Sequence, residues 1–182
     1  PGSLIGTWTD YQTIGAGLMR SGQLGSIRCD ALHCLYGFSH PELAGFLDRF
    51  DNGVPRLQDS LARVLRADAD PHNRAAAAYL LAHSQNPALT ARALSDAIFD
   101  PSHIVRNAAM RVLGQMGRRP EYASLIPLEP ILIAVDFPTL YDRNKALTTL
   151  RFLLTSDERK RQVIERVGTI LLDQLRLSSS IN

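Results

Sequence analysis

The chain has no long apolar run, little lysine, a single tryptophan and only two cysteines. Each shortage excludes something. The longest apolar stretches, 75–82 and 131–135, fall well short of the roughly 18 to 20 residues that a membrane-spanning helix needs, so no transmembrane segment is expected. The opening Pro1-Gly2-Ser3 has neither a basic n-region nor an apolar h-region, so no targeting signal is visible. No stretch alternates apolar and polar residues with period two, which argues against a sheet.

Chemistry-bearing motifs are missing as well. There is no G-x-S-x-G elbow, no C-x-x-C pair, no glycine-rich phosphate loop and no H-E-x-x-H, and Gly15-Ala16-Gly17 is too isolated to cradle a phosphate. The expectation is no catalytic residue and no cofactor. Cys29 and His33 lie four apart with His40 beyond them, but no second ligand cluster accompanies them, so no metal site is expected. The segment holding Cys29 and Cys34 reads as helix, which would put their Cα atoms about 8.5 Å apart on different faces. They are therefore expected to stay unpaired, and free thiols favour a cytoplasmic location.

What is present is a globular composition, 45% apolar, with a formal net charge of +2. The basic residues are almost all arginine, a side chain that keeps its charge in partly dry sites and forks onto carboxylates and phosphates. Such a bias is equally consistent with genome composition. Residues 1–100 hold 8 basic against 10 acidic side chains, and 101–182 hold 12 against 8. The second part is mildly cationic, less so than a dedicated nucleic-acid binder.

A pattern Arg-x-x-Ala-x-x-x-Leu recurs as Arg28-Ala31-Leu35, Arg74-Ala77-Leu81, Arg106-Ala109-Leu113 and Arg143-Ala146-Leu150. On a helix these three positions share one stripe, widened by Leu80, Val112 and Thr149 six residues after the last three arginines. The small alanine lets a neighbouring helix come close. Asp70-Pro71 and Asp100-Pro101 supply a capping acceptor ahead of a proline that has no N–H to lose, and Ser39-x-x-Glu42 and Thr155-x-x-Glu158 read as capping boxes. These signals predict helices over 9–20, 26–37, 41–50, 55–67, 71–84, 87–99, 102–116, 122–135, 139–154 and 157–176. Turns are expected at Gly53, Asn86-Pro87, Gly117 and Phe137-Pro138. In the last helix Val163, Ile164, Val167, Ile170 and Leu171 share one side, with Leu175 at its edge, as expected of a cap that closes a stacked array.

Asp100-Pro101-Ser102-His103-Ile104-Val105-Arg106-Asn107-Ala108-Ala109, continuing to Leu113-Gly114, resembles the repeat signature of the HEAT-repeat superfamily, in particular the short bacterial variety related to phycobilisome-lyase-type repeats. Asp70-Pro71 to Leu81 is a second copy, two residues shorter between Pro and Arg. The last copy departs with Phe137-Pro138, and the first has no proline before Arg28. The resemblance implies an all-α, right-handed solenoid of stacked helix hairpins: one domain over 1–182, with divergent helices at 1–53, HEAT-like repeats at 54–154 and a capping helix at 155–182. It also implies that Arg74, Arg106 and Arg143 brace the structure, with Asp70 and Asp100 as natural partners.

The binding surface is sought at positions one, five, eight and nine after each pattern arginine, which point away from the buried stripe. They give Cys29, His33 and Tyr36; Ala75, Tyr79 and His83; Asn107, Arg111 and Gln115; Asn144, Thr148 and Arg151. These are candidates for a groove that holds a protein or peptide, the alternative being ordinary solvated surface. A second expectation is nucleic-acid backbone binding through Arg106, Arg111, Arg118, Arg119, Arg151, Arg159 and Arg161. A third, implied by the resemblance, is an accessory subunit of a lyase-type enzyme whose groove grips a linear tetrapyrrole.

Overall fold

Several helices start at a short polar side chain that accepts one of the first free N–H groups. In the computed structural model, which describes residues 2–25, 29 and 31–179, the elements are α1 (Gly2–Arg20), α2 (Pro41–Ala67), α3 (Pro71–Leu80), α4 (Pro87–Ala97), α5 (His103–Gly117), α6 (Pro120–Ala123), α7 (Leu128–Ala134), α8 (Leu140–Leu153) and α9 (Asp157–Ser179). Asp70 accepts from the His72 amide at 2.8 Å, Asn86 from Leu89 at 3.0 Å and Thr139 from Asp142 at 3.2 Å, each at the head of its helix. At α5 the acceptor sits further out. Asp100 Oδ1 takes the Ser102 amide at 2.8 Å, and Ser102 is the residue that precedes the helix.

The helices form two layers. α2, α4 and α7 make one, and α3, α5 and α8 lie side by side in the other, so that α2–α3, α4–α5 and α7–α8 are successive hairpins. The repeat pattern builds the seam between them: Ala77, Ala109 and Ala146 are fully buried, and Leu81, Leu113 and Leu150 are buried beside them. Each such leucine is worth roughly 1.5 to 3 kcal/mol of transfer free energy. The α5–α8 contact is close enough that a Cβ on Gly114 would lie 3.3 Å from Thr149 Oγ1, and one on Gly117 would lie 3.2 Å from Leu153 Cδ2. This is an all-α solenoid, with no strand among the described residues. No helix is long and apolar enough to cross a membrane.

Several expectations need correction. Residues 31–40 are an irregular segment rather than the second half of a helix over 26–37, and Arg28 of the first copy lies outside the described residues. Its contacts compete with helix formation: the Leu32 amide bonds the Ala82 carbonyl, Gly37 turns at φ 70°, and the Tyr36 ring sits where a Cβ on Gly15 would be. In this conformation Cys29 and Cys34 are disulfide-bonded, with Cα atoms 5.5 Å apart. The inference of free thiols, and the cytoplasmic location drawn from it, thereby lose their premise.

The helices expected at 41–50 and 55–67 are one continuous α2. Gly53 is a point of close approach, since a Cβ there would meet Leu4 Cδ2 at 2.9 Å. Pro55 is tolerated because the carbonyl it leaves unbonded belongs to exposed Asp51. The helix expected at 122–135 is instead two, α6 and α7, with Pro127 at the break. The 71–84 helix ends in a 3-10 turn, Leu81–His83. The capping acceptors are His40, taking the Glu42 amide, and Ser156, taking that of Arg159, not Ser39 and Thr155. On α9, Val163 and Val167 are buried against the array but Ile164 is 70% exposed, so the apolar face is narrower than its spacing suggests; the Leu171 and Leu175 side chains lie outside the described residues.

Candidate binding face

The pattern arginines point along the array. Arg74 donates through Nε and Nη2 to both oxygens of Asp100, each at 2.8 Å, and through Nη1 to the carbonyls of Asp68 and Ala69. Arg106 repeats the arrangement with Asp142 Oδ2, at 3.1 and 2.8 Å, and the carbonyls of Asp100 and Pro101. Each guanidinium thus closes the turn of its own hairpin and grips a carboxylate of the next. Asp70 is a helix cap and not the partner of Arg74. Arg143 has the same carbonyl pair, Phe137 and Pro138, and no carboxylate partner among the described residues.

Burial, the largest single influence, pushes the Asp100 and Asp142 carboxyls upward. The facing guanidinium, with the Ser102 amide for Asp100 and the Thr139 hydroxyl for Asp142, outweighs it and holds both below the usual carboxylate range. In the third copy the Asp of Asp-Pro is lost to Phe137, and Asp142, five residues beyond that place, supplies the charge from within Thr139-x-x-Asp142.

At its N-terminal end the second layer is covered by the chain itself. Trp8 of α1 stacks on Tyr79 at 4.9 Å, His33 lies 5.3 Å from the same ring, and Tyr11 joins Tyr36, Phe38, Phe46 and Phe50 in one aromatic cluster. The Tyr11 hydroxyl donates to the Gly37 carbonyl and accepts from the Tyr36 amide. Four groove candidates are therefore corrected: His33, Tyr79 and His83 are 8%, 8% and 6% exposed, and Tyr36 is half-buried. They are packing residues: Tyr79 lies against Trp8 and His33, Tyr36 against Tyr11, and His83 against Phe38 and Phe50. Burial pushes the Tyr11 and Tyr79 hydroxyls up to about 12. Burial, then the positive charge of Arg111, His83 and Lys145, pushes His33 down to about 4.

The remaining candidates stay open to solvent. Asn107 and Arg111 are half-buried on α5, Gln115 is exposed, and Asn144, Thr148 and Arg151 are exposed on α8. Arg111 leans on Asn107, whose Oδ1 also accepts the Tyr141 hydroxyl at 2.6 Å. Three further residues join this face. Lys145 Nζ lies 5.5 Å from the Tyr141 ring centroid, and Arg118 and Arg151 both lie over Phe152, at 4.9 and 5.0 Å. Lys145 and Arg118 stand two and twelve residues after a pattern arginine, where a wider helical arc would have included them, and Phe152 stands at position nine, inside the arc already searched.

Two other clefts border the array. One of about 820 Å³ between α2 and α4 is lined by Arg63, Arg66 and Arg92 together with Asp59, Asp96 and exposed Phe99. The other, about 440 Å³, holds the pair His83 Nδ1 and Asp51 Oδ1 at 2.8 Å, with Arg119 and Tyr122 on its wall. Among the described residues no group of His, Cys, Asp and Glu is placed to hold a metal.

Residues 59–135 match the family model described as HEAT repeats. The match spans the end of α2 through α7 and contains the Arg74 and Arg106 copies, so this segment is similar to HEAT repeats. No curated protein and no solved structure matches it.

Proposed function

We propose that the protein is a non-enzymatic scaffold whose α5–α8 face, open beyond the aromatic cover, holds a segment of another protein. HEAT repeats generally serve as protein-interaction scaffolds. The observation that carries the reading here is the contrast along one layer: the face of α3 is covered at Tyr79 by Trp8 and His33, while that of α5 and α8 leaves Arg111, Gln115, Thr148 and Arg151 accessible. Amide, hydroxyl, guanidinium and aromatic groups side by side offer both contact area and directed hydrogen bonds.

The nucleic-acid reading is weakened by how its arginines are used. Arg106 is held by Asp142, Arg119 donates to the Ala31 carbonyl, Arg159 to three carbonyls of residues 123–126, and Arg161 to Glu158. Three of the candidates remain, fewer than the roughly 6 to 10 phosphate contacts of a committed DNA binder.

A photo-crosslinking residue at Thr148 tests the proposal against the same residue at Asp96 on the other layer. Crosslinks to a protein that form from position 148 and not from position 96 are the expected result. Equal labelling from both positions rejects this face as the binding surface.

A further inference from the structure

The open face is cationic without counter-charge. At positions one, two, five, eight, nine and twelve after Arg74, Arg106 and Arg143 there is no aspartate or glutamate. Yet Arg111, Arg118, Lys145 and Arg151 all stand there. None of these four takes part in any ion pair among the described residues, whereas Arg74, Arg106, Lys160, Arg161 and Arg166 each have a carboxylate. The four fall into two pairs. Arg111 acts on Lys145, whose ammonium is held below the ordinary lysine range by burial first and by that guanidinium second. Arg118 and Arg151 share the Phe152 ring. Crowding like charges in this way opposes folding, so the arrangement is relieved by an anion brought from outside.

We propose that the protein segment held by this face is acidic: a peptide with two carboxylate clusters, one received by Arg111 and Lys145 and the other by Arg118 and Arg151. The proposal rests on the scaffold reading above and names its partner's chemistry. Arg111 and Arg118 are separated by two turns of α5, about 10.5 Å of rise. An extended chain covers that distance in about three residues. The recognised pattern is therefore two acidic positions three apart. The face discriminates against a polyphosphate chain because it offers only these two pairs, and the aromatic cover over Tyr79 stops the cationic track from continuing along α3.

The test uses fluorescence anisotropy with the full chain and three labelled probes: a peptide with two Glu-Glu pairs whose starts are three residues apart, the same peptide with Gln for every Glu, and a single-stranded oligonucleotide of equal charge. The Glu peptide is expected to bind, and to weaken as ionic strength rises. R111Q/K145Q and R118Q/R151Q should each lower its affinity at least tenfold, with unchanged circular dichroism showing that both variants fold. Equal binding of the Glu and Gln peptides overturns the acidic partner while leaving the scaffold reading standing. Tighter binding of the oligonucleotide overturns it in favour of nucleic acid. Failure of both peptides overturns the acidic partner, and the position-148 crosslink then decides the scaffold reading separately.

Discussion

At the scale of single residues, the arginines of the repeat pattern are alike in sequence and unlike in what they hold. Arg106 and Asp142 are largely buried as a pair, so removing the guanidinium leaves a carboxylate with its desolvation uncompensated. Arg106→Ala should cost about 3 kcal/mol in urea denaturation. Arg143 bonds only two carbonyls, so Arg143→Ala should cost about 1 kcal/mol. His33 gives a pH signature. Its folded value is pushed down to about 4 from 6.5, so the unfolded chain binds the proton more readily, and the stability His33 contributes is complete above pH 6.5 and lost as pH falls towards 4. Thermal melts at pH 7 and pH 5 should differ by roughly 2 kcal/mol of stability, and His33→Phe should flatten that difference.

At the scale of elements, the glycines show why spacing alone misplaced some boundaries. Gly53 looked like a turn and is the site where α1 leans on α2, and the obstacle to a Cβ there is the movable tip of Leu4. Gly53→Ala should be close to neutral, the gain in helix propensity of about 1 kcal/mol offsetting the shift of Leu4. Gly15 faces the body of the Tyr36 ring, which a Cβ there would strike, and Gly15→Ala should destabilise by about 1 to 3 kcal/mol and raise protease sensitivity at residues 31–40. The helices from α3 to α5 were legible because proline, cap and apolar stripe agree over Asp70 to Leu113. Residues 31–40 were not, because Ala31 and Leu35 mimic the stripe. The forces that shape this stretch, a disulfide and contacts to Ala82 and Gly15, come from partners that helical periodicity does not see.

At the scale of the whole molecule, the candidate face was half legible. Its α5 and α8 members followed from the repeat, whereas the cover over α3 required knowing that α1 folds back across Tyr79. That cover is tied by the Cys29–Cys34 bond, which closes a short loop worth about 2 kcal/mol of restricted unfolded-chain entropy. Reduction with dithiothreitol should lower the urea midpoint accordingly and deepen hydrogen exchange at Tyr79. The stacking itself has a direction. The α4–α5 hairpin extends the Arg106 guanidinium forward and receives that of Arg74 on Asp100, so a hairpin grafted after Leu153 would register with Arg143 only if it brought an acid to meet it. A two-hairpin unit reversed in order would present arginine to arginine at the joint and repel its neighbour, which makes this array a one-way assembly with a grammar written in charge.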